Sequence, residues 1–436
     1  MSYKPNRRGI LAMEDNLPEE FPVTSDISLN EVQDLNYLAQ AEDVMVDYSI
    51  KNEITEDRID AVDALSDIHD AMAGAEEVGG LNEHEAQVIS VAVEHFCKLG
   101  FVDAPVRVSL EQYGGTASRK QALRASMEGI TDAIKNMIKK IIDWIKRIFT
   151  STKDSVVSMA TGADNLVKSA RRVAENAKAI ADKTIPPNNK VMKDYKLAAF
   201  FSKSSAVIPS DQILNLYADY CEFANQKFKN KFIKQLGANT YSASEAARKG
   251  VSEEVVTDKA SEILTNLKKE ALDEFVANSE STDDNKEGLR YDLPFGQRHI
   301  SAVFNKDGDK YTGFVVTVGE DPKLPKDIAE KGVTTLTHKQ IVDLTKAVEK
   351  QLLFGIYKDH KISIDDLEKM QKAVNKACED ISRQQEKEEH SVMFSVNFLK
   401  DLMASAVAMT NAVYKYDISV SRAILEYCDK SIRQHA

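Results

Sequence analysis

Apolar residues along this chain return every three or four positions, the period of one helix face. Val32, Leu35, Leu38, Ala39, Ala41 and Val44 follow a capping-box pattern, Ser28-Leu29-Asn30-Glu31. The same spacing predicts helices over Glu56–Ala73 and Glu83–Leu99, the second closed by Gly100. From Asp103 to Ser126 the pattern breaks at Pro105 and Gly114-Gly115, and residues 100–128 read as an exposed connector. Helical spacing resumes over Ile130–Phe149 and again from about Ser151 to Asp182, where Pro186-Pro187 follows as a stop. Ser210–Leu236 and Ser252–Asn278 predict two more helices around a small-residue break, Gly237–Gly250. A polar linker is expected at Ser279–Glu287.

One region alternates with period two. Ile300–Phe304 and Tyr311–Val318 flank Asn305–Lys310, whose Asp-Gly pair predicts a β-hairpin. From Thr337 the helical period returns, with breaks near Gly355–Lys361 and Glu386–His390, and ends in an apolar stretch, Val396–Ile432. The expected fold is mainly α with a minor β insertion. It divides into an acidic helical region at 1–128, a basic amphipathic helix at 129–150, helical regions at 151–280 and 337–436, and a loop and hairpin region at 281–336.

Composition narrows the class. With 29% charged and 43% hydrophobic residues, the 436-residue chain can bury a sizeable core. No apolar run is long enough to span a bilayer, and no secretory signal is expected at the start. Cys97, Cys221, Cys378 and Cys428 are widely separated, as expected of reduced thiols in a protein made in a reducing cytoplasm.

Net charge conceals a division. Residues 1–128 hold 25 acids against 10 bases, a balance of −15, and residues 129–436 hold 44 against 47, a balance of +3. The change falls at one of two similar segments, Arg107-Val108-Ser109-Leu110-Glu111 and Arg124-Ala125-Ser126-Met127-Glu128. A small residue, an apolar residue and a carboxylate before a bond suit a protease with a narrow, an apolar and a basic pocket. The bare tripeptide is common in this chain, for example at Ala12-Met13-Glu14 and Ala347-Val348-Glu349. The shared upstream Arg, the connector and the charge boundary distinguish these two copies.

Ser109-Leu110-Glu111, followed by Ser126-Met127-Glu128-Gly129-Ile130, resembles the pro-to-mature junctions of internal and structural head proteins of large tailed bacteriophages, phiKZ-like or T-even-like. The resemblance implies a virion protein of the head, made as a precursor and cut by a prohead protease. The cut would follow Glu128, with Glu111 as the second copy. It also implies other head proteins as partners, and packaged DNA as a non-specific neighbour of a near-neutral body.

The helix after Gly129 is strongly polarised. Ile134, Met137, Ile138, Ile141, Ile142, Ile145, Ile148 and Phe149 share one side, with Trp144 at its edge, where the indole N–H can stay wet. Lys135, Lys139, Lys140, Lys146 and Arg147 lie opposite with Asp132 and Asp143. Such a helix suits a membrane interface, and equally suits packing onto neighbouring helices. Two other readings therefore stand beside the head protein: a membrane-interacting or injected effector, and an unprocessed cytoplasmic helical interaction protein. Nucleotide-loop, zinc-protease and hydrolase motifs are absent from the sequence, so no enzyme and no cofactor is expected. Glu83-His84-Glu85 and Glu94-His95 read as solvated, and Asp307-Gly308-Asp309 reads as a turn.

Overall fold

A computed structural model describes residues 54–55, 57–78, 80–101, 116–181, 191–203, 206–248, 253–277, 285–320, 332–383 and 389–435. The helix expected from Ser28 lies outside these residues. Two N-terminal helices open the described chain. Helix α1 (57–77) buries Ile59, Val62, Leu65 and Met72 at helical spacing. Helix α2 (Glu83–Leu99) starts at Asn82, whose side chain accepts from the Glu85 amide while the Glu85 carboxylate accepts from the Asn82 amide. It stops at Gly100.

The two helices expected at 130–149 and 151–182 are one element. Helix α3 (Thr116–Lys178) runs for 63 residues, because Ala, Lys and Ile predominate and its few glycines are isolated. It also absorbs residues 116–128 of the expected connector. Gly114-Gly115 directly precedes it in the sequence, and from there to Ile130 the only breaker is Gly129, which one helix tolerates. Its close is at Lys178, short of the Pro pair.

Next come β1 (Val191–Met192), α4 (Tyr195–Phe200), β2 (Ser202–Lys203) and β3 (Ala206–Val207), all too short to leave a periodic signal. Helix α5 (Ile213–Glu222) passes into a π-helical segment (Phe223–Ile233) and then α6 (Lys234–Arg248). The break expected from Gly237 is thus helical as far as Arg248, since its alanines and serines fit a helix. Helix α7 (Glu253–Ala271) ends earlier than expected, and Val276–Ala277 forms β4.

The expected hairpin is part of a larger sheet. Strands β5 (Lys286–Asp292), β6 (Arg298–Asp307) and β7 (Lys310–Glu320) join β4 in an antiparallel meander, ordered β4-β5-β6-β7. Ile300, Ala302, Phe304, Phe314 and Val316 face inward, and the register shifts at Asn305/Lys306 beside the turn. The linker expected to Glu287 is shorter, because Lys286 already pairs with Asn305. Strand β5 was missed because its polar, Gly-containing sequence hides the two-residue period, leaving only Leu289 fully buried among its apolar residues.

After β8 (Val333–Thr334), which pairs with β1, helix α8 (His338–Lys350) starts in a Thr337/Gln340 capping box. A second π-helical segment (Gln351–Lys358) leads through Asp359 into α9 (His360–Arg383). The last helix, α10 (Glu389–Ile432), is buried on nearly every side from Val396 to Cys428, as an all-round apolar helix must be. It is the axis of the core. The Ser405 hydroxyl donates to the Phe314 carbonyl at 3.2 Å, tying α10 to β7. The Tyr416 hydroxyl both accepts from Phe295 N at 2.7 Å and donates to Phe295 O at 3.0 Å.

Candidate processing segment and a polar cavity

The second of the two expected cleavage motifs sits inside α3. Ser126 is 3% exposed, and its hydroxyl donates to the Ala122 carbonyl at 2.9 Å. Met127 is half-buried with its carbonyl accepting from Thr131, Glu128 is exposed, and Gly129 is half-buried. Arg124 pairs with Glu76 of α1 at 2.6 Å. The first motif, Ser109, Leu110 and Glu111, lies outside the described residues.

All nine residues expected on the apolar face of this helix, Ile134, Met137, Ile138, Ile141, Ile142, Trp144, Ile145, Ile148 and Phe149, are buried. Trp144 was expected at a wet edge but is 5% exposed, because the buried arc is wider than one helix contact. Part of that arc is closed by the N-terminal helices. A Cβ at Gly100 would come within 2.3 Å of Met137 Cε, so the end of α2 seats directly against that thioether, which would have to swing aside for a larger residue. The Lys140 ammonium donates to the Phe101 carbonyl. The Glu76–Arg124 pair, with Arg58 close enough to Arg147 for its pKa to be lowered by burial and then by that charge, shows α1 antiparallel to α3. The rest of the arc packs on the C-terminal helices. Basic side chains of α3 also reach acids there: Lys146 to Glu379 at 3.9 Å, Lys153 to Glu368 at 2.8 Å and Arg171 to Glu349 at 2.7 Å. In the folded chain the apolar face is therefore occupied by protein.

Sequence reasoning gave no hint of a second feature. The two π-helical segments face each other across a cavity of about 600 Å³. Beneath it, three hydrogen bonds run in one sense. Lys229 Nζ donates to Asn225 Oδ1 at 3.3 Å, Asn225 Nδ2 to Gln351 Oε1 at 2.8 Å, and Gln351 Nε2 to Asp417 Oδ2 at 3.1 Å. A Cβ at Gly355 would fall 2.6–2.7 Å from the Gln351 amide, so the bare backbone there makes room for the link. Asp417 is fully buried on α10 and its Oδ1 has no partner among the described residues. Burial raises its pKa to about 6, against the opposing pull of Lys229 and Gln351. Burial also lowers the pKa of Lys229, although Asp417 and Asp359 act the other way. In the sequence only the expected break near Gly355–Lys361 falls here, and it does not betray a wide-turn segment.

Among the described residues no group of three His, Cys, Asp or Glu is placed to hold a metal, and no helix is long and apolar enough to cross a membrane. Asp307-Gly308-Asp309 forms the β6–β7 turn, as expected.

No curated protein and no solved structure matches the chain. The family of phiKZ-like phage internal head proteins does, over residues 46–433, which spans α1 to α10 and so the whole described fold. The mainly helical body agrees with that match. The chain belongs to the phiKZ-like phage internal head proteins.

Proposed function

We propose that the protein is a non-enzymatic internal head component, synthesised in the host cytoplasm as a precursor and cut after Ser-x-Glu during head maturation. The observation carrying this reading is the coincidence of the duplicated motif with the −15 to +3 charge boundary in a chain of the internal head protein family. An acidic segment packed against DNA phosphates is repelled, and its removal leaves a body that tolerates close-packed DNA without binding it tightly. Co-packaging with the genome follows from that charge balance.

Burial of Ser126 sets a condition on the cut. A protease binds its substrate extended, so the bond after Glu128 is cleaved in a chain whose α3 start has unwound, before or during assembly. N-terminal sequencing of the protein from mature heads tests the proposal. Gly129 is the expected first residue, with Gln112 marking a cut after Glu111. A head-bound chain that still begins before residue 112 overturns it.

A membrane role for residues 129–149 requires the buried face of α3 to leave its neighbours. It would register as vesicle binding by chain purified from mature heads, lost in Ile138→Asp.

A further inference from the structure

The cavity between the two π-helical segments is built unlike the rest of the surface. Its volume, about 600 Å³, falls within the ~300–1,000 Å³ typical of small-molecule sites. Wide turns of this kind recur at functional sites, because the extra residue per turn displaces side chains from the helical register. Here both walls carry one.

Its lining combines three kinds of group. The first is cationic. Lys229, Lys234 and Lys350 line it, and among the described residues none has a carboxylate within 4 Å. Lys229 is the most desolvated of them. Its ammonium makes one long bond to Asn225 and lies 5.3 Å from the Tyr414 ring centroid. Asp417 and Asp359 attract this ammonium from a distance, but a desolvated ammonium with no carboxylate in contact is costly, and among the described residues its remaining donors have no acceptor. Ser363 adds a hydroxyl donor, because Tyr414 already donates to its oxygen at 3.1 Å.

The second group accepts hydrogen bonds. Glu222 and Asp359 line the cavity without a side-chain partner among the described residues, whereas Asp366 is paired with Lys369 at 3.1 Å. The third is apolar. Phe354 and Ile362 stand at the mouth, 50% and 57% exposed, as large hydrophobic side chains rarely do beside a polar floor.

We propose that this cavity binds a mononucleotide, with its phosphate on Lys229, Lys350 and the Ser363 hydroxyl, sugar hydroxyls on Glu222 or Asp359, and the base against Phe354. A ligand carrying an anion, several hydroxyl donors and a flat apolar body matches all three groups. A bare anion would leave the carboxylates and Phe354 unused. The proposal is independent of processing, since every residue in it lies beyond Gly129.

Cys221 supplies the readout. It lines the cavity and is partly exposed, while Cys97 and Cys428 are buried. Adenosine monophosphate and inorganic phosphate are titrated calorimetrically into the full chain, and alkylation at Cys221 is followed by mass spectrometry. Saturable binding of adenosine monophosphate tighter than about 1 mM is expected. It should slow Cys221 alkylation at least tenfold, weaken tenfold or more in Lys229→Met, recover in Lys229→Arg, and weaken several-fold in Phe354→Ala. The proposal falls if adenosine monophosphate does not bind saturably, if Cys221 is not protected, or if inorganic phosphate binds equally well. It also falls if a folded Lys229→Met chain, checked by its thermal melt, binds like the parent. Should Lys229→Met unfold, Cys221 protection in the parent and the Phe354→Ala titration decide.

Discussion

The proposed cleavage after Glu128 requires the start of α3 to unwind. To present that bond extended, the chain must release Leu123 and Ile130, both buried, and free Arg124 from Glu76. Exposing the two apolar side chains costs about 2 kcal/mol each, and an exposed ion pair adds about 0.5 kcal/mol. The opening therefore costs about 4–5 kcal/mol, which at 1.4 kcal/mol per factor of ten holds the open state near one part in a thousand or less. A glutamyl-specific protease should accordingly cut the folded chain at Glu128 about 1,000-fold more slowly than a synthetic peptide covering residues 120–136. Ala122→Gly with Ala125→Gly weakens the local helix by about 1 kcal/mol per site and touches no ion pair. The doubly substituted chain should be cut about 30-fold faster than the parent, with unchanged cutting of the peptide equivalents relative to each other. Timed mass spectrometry of the fragment beginning at Gly129 measures both rates. Folded parent cut as fast as the peptide, or a double variant with no acceleration, refutes the reasoning.

Three further outcomes follow from the core. Tyr416→Phe leaves both the N–H and the C=O of Phe295 buried without their shared partner and should destabilise the chain by about 2–4 kcal/mol in urea unfolding. Gly355→Ala pushes the Gln351 amide off Asn225 and Asp417; the lost bonds outweigh the gain in helix propensity, for a net loss of about 1 kcal/mol by the same measurement. Burial raises Asp417 from 3.8 to about 6, so the folded chain holds a proton that the unfolded chain releases. Its contribution is neutral below pH 4, and stability is lost as pH rises from 4 to 6, by about 3 kcal/mol in total. Urea midpoints of Asp417→Asn should fall less over that window than those of the parent; parallel profiles would rule out ionisation of Asp417.

The sequence was most readable where one side of an element is buried. Apolar spacing over Glu83–Leu99 and its return from Thr337 mark α2 and α8, and Ile300, Ala302 and Phe304 show the two-residue period of β6. It was least readable where long-range packing decides. Residues 116–129 hold no breaker but Gly129, yet Gly114-Gly115, Gly129 and the serines read as a linker, and α1 and α2 cover the turn that proves helical. The family resemblance rested on short segments, and the match over residues 46–433 extends it to the body, which had no recognisable motif. The cavity was invisible for a different reason. Lys229, Asn225, Gln351 and Asp417 come from three separate helical segments, and Gln351 and Asp417 resemble ordinary surface residues in an otherwise helical pattern.

The seating of α1 and α2 on α3 has a consequence for how the product is made. Residues 57–101 supply one wall for an arc whose other wall comes from the far end of the chain. A precursor cut after Glu128 would have folded against a template that its product no longer owns. The product then keeps a shape reached with help that has been discarded, and its persistence depends on the barrier to unfolding rather than on its own equilibrium. Denatured and diluted, it would return more slowly and less completely than the precursor. Assembly in the head would thus run one way, with the acidic segment acting once, as a mould.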